Sequence, residues 1–470
     1  MTRRHIRNGR SSKLASSARL LSACSVLLAA TLGACAAGQG GATGAGGDGA
    51  TTSGGGGTTT SLSTTSSTAS VGGGGAGGAG GETTGTGGTG GTAGTGGTGG
   101  ASTSSSATGG AGGSGGAGGA GGGPIGAGRV VLLAGSGTEM LGGAFAEGAG
   151  WTTSDIPSGT TSAPAVALLS PDNGVAVVRP VGSAQPLFSK WNGSTFGAPL
   201  GIGMQASAQG EPVVAAGDGV FSVGYWGTDN LHYYAKYAGQ MGGWSPVNEA
   251  VKPAGGGQSF GSCAPFVSTL PGEVFLAHTG TDGKVYEQRR TAGGWEAATG
   301  HDVGGAKTDV TATIATLAGG QEDLLIVYVL AANSQIGWIA RKSGASPTWT
   351  SGATITDALT MDRVVVAALP DGGAVIAFRG LNSGVYTSIY KPGANPAWSA
   401  PAALAALSYT TPSHPAIAPG IGVAQAELAF VDSVTGAVLH ARLVNGAWGA
   451  PEVVGGADLQ FVGMASSAGE

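Results

Sequence analysis

The chain is short of charge, cysteine and aromatic residues for its length. Only 10% of its 470 residues are charged, and the formal net charge is −5. No basic patch of the kind that tracks a phosphate backbone follows the N-terminal segment, which excludes a nucleic-acid partner. Three cysteines, Cys24, Cys35 and Cys263, are too few for a disulfide framework. No apolar run exceeds the 13 residues of Leu20–Leu32, too short to span a bilayer comfortably. Helical periodicity is missing from every long stretch, which argues against a helical bundle. The histidines His232, His278, His301, His414 and His440 show no paired metal-ligand spacing and no HExxH. They are expected to be surface or packing residues, and no metal or cofactor is expected. Many of the acids sit in Asp-Gly turns, where the side chain caps the local backbone, so no catalytic carboxylate pair stands out.

Glycine is what the chain has in abundance, 96 residues of it, and its distribution divides the chain in three. Residues 1–35 carry six basic residues (Arg3, Arg4, Arg7, Arg10, Lys13, Arg19) and no acid, followed by the apolar run "LLSACSVLLAATL". That order is the layout of a secretory signal. From residue 36 to 127 nearly every residue is Gly, Thr, Ser or Ala, with no aromatic. Such a segment cannot bury enough apolar surface to offset its ordering entropy, so a disordered linker is expected. As a flexible coil it would reach roughly 50–60 Å. "GGSGG" within it matches a nucleophile-elbow pattern only formally, without the strand-turn-helix setting that motif needs. Residues 128–470 regain Val, Pro and aromatics, and there self-similarity begins.

The run ends in "LGAC", Leu32–Cys35, which resembles a bacterial lipobox. The resemblance implies lipidation at Cys35, loss of Cys24 with the signal, and a lipid anchor in the cell envelope, at the outer membrane. Loss of the six basic residues would move the formal charge from −5 to −11. Cys263 would then be the one remaining thiol, expected to act as a small buried hydrophobe.

Beyond residue 128 seven units repeat. "GTDGKVYEQRRTAGGW" (Gly280–Trp295) has a close relative in "GTDNLHYYAKYAGQMGGW" (Gly227–Trp244), and looser ones end at Trp349, Trp398 and Trp448. The closing tryptophans Trp244, Trp295, Trp349, Trp398 and Trp448 are spaced by 51, 54, 49 and 50 residues; Phe196 and Trp151 extend the series at 48 and 45. Each unit reads as four short strands: a Pro-led apolar run, a second run after an Asp/Gly turn, an aromatic strand, and a fourth begun at the tryptophan. Four-stranded repeats of this length predict an all-β fold, a seven-bladed β-propeller. The first unit lacks its Pro-led strand, and the last has a surplus run, "LQFVGMASS". The chain is therefore expected to close by pairing that run with Val130–Leu133, which resembles the "Velcro" of known propellers and removes the free sheet edges.

Two columns emerge from the aligned third strands. Phe188, Tyr233, Tyr286, Trp338, Tyr386 and Leu439 occupy one, and Lys236, Arg289, Arg341 and Arg442 lie three residues further on. The odd offset puts the columns on opposite faces. The aromatics are expected to pack between blades, and the basic column to form a solvated face.

"SPDNG" (Ser170–Gly174) resembles the opening of a sialidase Asp-box, with Val177 where an aromatic is expected, and "DSVTG" (Asp432–Gly436) resembles part of a quinoprotein motif. A fuller resemblance, in Gly227–Trp244 and Gly280–Trp295, is to the bacterial β-propeller lectins of the fucose-binding type. It implies sugar sites between blades, and the matching positions are Trp226, Asp229, Tyr233, Asp282 and Tyr286. An aromatic ring covers the C–H face of a sugar while fixed polar groups read its hydroxyls. The expected function is a membrane-anchored, tethered module that binds a glycan. An envelope-protein scaffold and a sialidase-like hydrolase are the other two readings.

Overall fold

The computed structural model describes residues 128–203, 207–239, 243–251, 266–270, 273–308, 312–317, 322–344 and 346–467. All lie in the second of two units into which the chain divides, Thr98–Glu470. The signal, Cys35, the linker and Cys263 lie outside the described residues.

Seven antiparallel sheets follow one another around a ring. Blade 2 shows the basic pattern, with strands Ala165–Ser170, Asn173–Val178, Leu187–Trp191 and Leu200–Gly201 paired in order from the axis outward. The inner strands of successive blades touch: Ala165–Ser170, Val213–Gly217, Phe266–Leu270, Thr313–Thr316, Val365–Ala368, Ala416–Pro419 and Phe461–Ser467, which meets Ala165–Ser170 again. The two inner strands of a blade are enclosed on both faces, so they read as unbroken apolar runs such as "VVLLAG" (Val130–Gly135). Outer strands are short or interrupted in most blades, whereas that of blade 1, Gly150–Ile156, is unbroken. In blade 7 the outer edge splits into Ala447–Trp448 and Glu452–Gly455 around Pro451, whose ring offers no N–H to the ladder.

The last strand closes the ring as the repeat count requires. Phe461–Ser467 pairs antiparallel with Arg129–Gly135, from Arg129 opposite Ser467 to Gly135 opposite Phe461. Val462, Met464 and Ala465 are fully buried there, packing with Val130, Leu132, Ala416 and Val431 on one side and Val131, Leu133 and Val166 on the other.

The closing tryptophans recur because each one is mortar between blades. Trp151 donates its indole N–H to His440 Nδ1 (3.2 Å), Trp349 to Glu287 Oε1 (2.8 Å) and Trp448 to Thr387 Oγ1 (3.0 Å). Trp295 meets Tyr234 edge-on at 5.4 Å, and Trp244 meets Phe188 at 5.1 Å. In every case the partner is on the third strand of the preceding blade.

The basic column differs from expectation. Arg341 forks onto Asp323 (2.8 and 3.0 Å), Arg442 binds the buried Glu427 (3.1 Å), and Arg289 pairs with Glu273. Each acid lies at or near the start of the second strand: Glu427 directly opposite Arg442, Asp323 next to Leu324 opposite Arg341, and Glu273 two residues from Phe275 opposite Arg289. Arg341 and Arg442 also cover Phe275 and Phe145 at 4.8 and 5.1 Å. The histidines are interior residues: His232, His278, His414 and His440 are buried, and His301 lies against Trp349 at 4.8 Å.

Candidate functional site

The turn from second to third strand in blades 3, 4 and 6 follows one local rule, Gly-x-Asp/Asn-x-x-x-Tyr. In blade 4, Asp282 Oδ1 accepts the Lys284 amide (3.1 Å) while the Tyr286 hydroxyl donates to Oδ2 (2.9 Å). In blade 3, Asp229 accepts the Leu231 amide (3.2 Å) and the Tyr233 hydroxyl. In blade 6, Asn382 accepts the Gly384 amide and its Nδ2 donates to Tyr386, at 3.1 and 2.9 Å. The tyrosine ring folds back over the opening glycine. A Cβ on Gly227, Gly280 or Gly380 would sit 2.6, 2.4 or 2.5 Å from that ring. Space, not backbone angle, demands the glycine.

These turns share a face with the loops that lead into each inner strand. Ala306, leading into blade 5, donates its amide to Gly283 in the turn of blade 4, and Thr411, leading into blade 7, donates to Ser383 in the turn of blade 6. One rim therefore carries every such turn and surrounds one mouth of the central channel.

At the seam of blades 3 and 4 the rim contains a row of four rings. Trp226 ends one strand, opposite His232 on the next. His232 meets His278 of blade 4 with ring centroids 4.5 Å apart, and His278 stacks on Tyr286 at 5.3 Å with planes 12° apart. Burial, and then the neighbouring His232, hold the His278 pKa well below the ordinary histidine value. All four rings are nearly enclosed. Above them stand the exposed turn residues Thr228, Asp229, Asn230, Thr281 and Asp282.

Partial burial pushes the Asp282 carboxyl up, but the Lys284 amide, the Tyr286 hydroxyl and the Lys284 ammonium outweigh it and hold it below the usual value. Tyr286 is pushed up to about 12 by burial and by its bond to Asp282. Asp282 is thus a fixed anion with lone pairs left over after the Lys284 amide and the Tyr286 hydroxyl.

The structure separates the five sequence-chosen residues into two sets. It brings together Trp226, Asp282 and Tyr286, with Asp229 at the adjoining turn. Tyr233 is next to His232 in sequence and so points to the opposite face of its strand. It stacks on Tyr225 at 5.3 Å (17° between planes) and packs in the core shared with blade 2. His232 and His278 are the residues that sequence reasoning missed. Their positions held a signal, since His232 follows the blade 3 turn and His278 lies two residues before Gly280. Among the described residues no group of three or more His, Cys, Asp or Glu is placed to hold a metal ion.

No protein-family model matches the chain, and no curated protein matches it. Among solved structures it is similar to the fucose-specific lectin of Aleuria aurantia, at 14% identity and a TM-score of 0.41, over 60% of this chain and 92% of that one. AofleA from Arthrobotrys oligospora matches at 12% identity and 0.39, over 74% and 90%. The periplasmic gluconolactonase of Pseudomonas aeruginosa matches at 12% identity and 0.48, over 72% and 99%.

Proposed function

We propose that the propeller is a carbohydrate-binding module with its principal site on the rim of blades 3 and 4, displayed from the cell envelope by a lipid on Cys35. The observation that carries this reading is the contrast around the rim. Blades 3 and 4 present Thr228, Asp229, Asn230, Thr281 and Asp282, whereas blades 2, 6 and 7 expose Val181, Leu381 and Val434. A dense set of fixed acceptors and hydroxyls suits vicinal sugar hydroxyls, and the Trp226–Tyr286 row beneath gives it a rigid apolar base. Because the rings are enclosed, recognition falls mainly to the turn residues, and affinity at one site should be modest. Many tethered copies would supply avidity.

The electrostatics of Asp282 suit it to binding rather than to the role of a general acid. A glycoside hydrolase needs a carboxylic acid whose pKa is raised, so that it can donate a proton to the leaving oxygen. Asp282 is moved the other way. Probing a broad glycan array with the protein tests the proposal: selective binding supports it, and a blank array together with capture of a defined envelope protein points to the scaffold reading instead.

A further inference from the structure

A second cluster lies on the same face at the axis, built from one repeat position. Ala163, Glu211, Arg363 and His414 each stand two residues before the inner strand of their blade, in blades 2, 3, 6 and 7. That position points all four at the channel mouth. His414 Nε2 lies 3.2 and 3.1 Å from the two oxygens of Glu211, Arg363 Nη1 lies 3.3 Å from Oε2, and the Ala163 amide donates to Oε1 at 3.4 Å. Blades 3 and 7 are three places apart in a ring of seven, so the ion pair crosses the channel rather than joining neighbours. The partners are 203 and 152 residues apart in sequence.

The protonation state follows from the geometry. His414 Nδ1 faces the Pro415 carbonyl at 3.0 Å, while Nε2 faces the carboxylate. Both ring nitrogens meet acceptors, which only the imidazolium satisfies. His414 and Arg363 side chains are 6% and 4% exposed, and Glu211 is 24% exposed. The next charges along are engaged elsewhere: Asp362 with Arg379 (2.7 Å), and Arg179 with the Gln209 carbonyl (2.6 Å).

We propose that Glu211, Arg363 and His414 form a pH-sensitive latch that bars this mouth of the central channel and ties blade 3 to blades 6 and 7. Burial alone would push His414 down, but Glu211 outweighs it and raises the pKa above the ordinary value of 6.5. Burial would raise Glu211, but His414 and then Arg363 lower it from 4.5 to about 2. A histidine raised on folding contributes stability in full below its unfolded pKa and loses it as pH rises through the folded one. A carboxylate lowered on folding contributes in full above its unfolded pKa and loses it as pH falls through the folded one. The latch is therefore strongest between pH 4.5 and 6.5, weakens in alkali as His414 loses its proton, and fails in strong acid near pH 2. Release leaves the Glu211 carboxylate with Arg363 and the Ala163 amide and frees the lead-in loops of blades 3 and 7.

The test is a pH series on the full chain. Nuclear magnetic resonance should show His414 titrating above its ordinary value in the wild-type protein, and Glu211→Gln should bring that titration down by a unit or more. Thermal melting of wild type against His414→Gln should differ most between pH 4.5 and 6.5, with the difference shrinking by at least half in alkali above the His414 titration. Hydrogen-exchange protection, corrected for intrinsic rate, should fall about tenfold across the same alkaline range in the lead-in loops around residues 211, 363 and 414 and hold steady in blade 1. A wild-type His414 that titrates at or below the ordinary value overturns the proposal without reference to any variant, as does protection that stays constant in those loops.

Discussion

Replacing Gly280 by alanine puts a methyl carbon 2.4 Å from Cε2 of Tyr286 and 2.7 Å from Oδ1 of Asp282. Neither neighbour can yield freely, because the ring is stacked on His278 and its hydroxyl is bonded to the same carboxylate. The ring must leave its place. That forfeits the hydroxyl bond, about 1 kcal/mol, and part of the stacking, about 0.5–1 kcal/mol, with a further 1 or 2 kcal/mol for overpacking. The sum is roughly 2.5–4 kcal/mol, which lowers Tm by about 3–6 °C in a domain of this size. Urea unfolding of Gly280→Ala beside Tyr286→Phe separates the parts, since the phenylalanine loses only the hydroxyl and should cost about 1 kcal/mol. A double-mutant cycle is decisive. In a Tyr286→Ala background the ring clash is gone and only the Asp282 contact remains, so Gly280→Ala should cost clearly less than it does in the wild type. Additive costs would show that the glycine is required for some other reason.

Three further outcomes are expected. Trp349→Phe removes the donor to Glu287, whose pKa burial already raises, and should cost about 1.5–3 kcal/mol near neutral pH. That cost should shrink as pH falls and Glu287 takes up a proton; an equal penalty at pH 8 and pH 4 by urea unfolding would contradict the assignment. Gly463→Ala brings a Cβ to 1.9 Å from the Pro164 carbonyl where the closing strand meets blade 2. It should destabilise the ring by more than about 3 kcal/mol, and truncation from Asp458 onward should do more; an unchanged Tm in the truncated chain would mean that closure contributes nothing. Cys35→Ser should abolish incorporation of a fatty-acid probe in cells, and a variant band that stays labelled would refute lipidation there.

The architecture was legible because its determinants repeat. A tryptophan that must reach the preceding blade has to recur at the blade spacing, and a ring that closes with its last strand leaves one strand over at the C-terminus and one missing at the N-terminus. The Gly-x-Asp-x-x-x-Tyr turns were legible as turns for a similar reason, since local geometry fixes their spacing. Orientation was harder to read. Tyr233 and Tyr286 are equivalent in sequence, and each faces the blade before it, so the two line different seams. His232 and His278 gain meaning only from meeting across a seam. The latch was hidden further still, because Glu211, Arg363 and His414 share a repeat position but no chemistry. Aligning the residue two places before each inner strand exposes it.

The rim site itself can be tested with a substitution that the chain already contains. Asn382 makes the same turn-capping contact in blade 6 that Asp229 and Asp282 make in blades 3 and 4, and it keeps the tyrosine bond with the direction reversed, its Nδ2 donating to Tyr386. Asp229→Asn with Asp282→Asn should therefore keep the fold and Tm while removing both carboxylates. Titration calorimetry of this variant and the wild type, with the strongest array ligand, is the most direct measurement. A loss of affinity of at least tenfold at unchanged Tm is the predicted result; equal affinity would place sugar recognition away from the seam of blades 3 and 4.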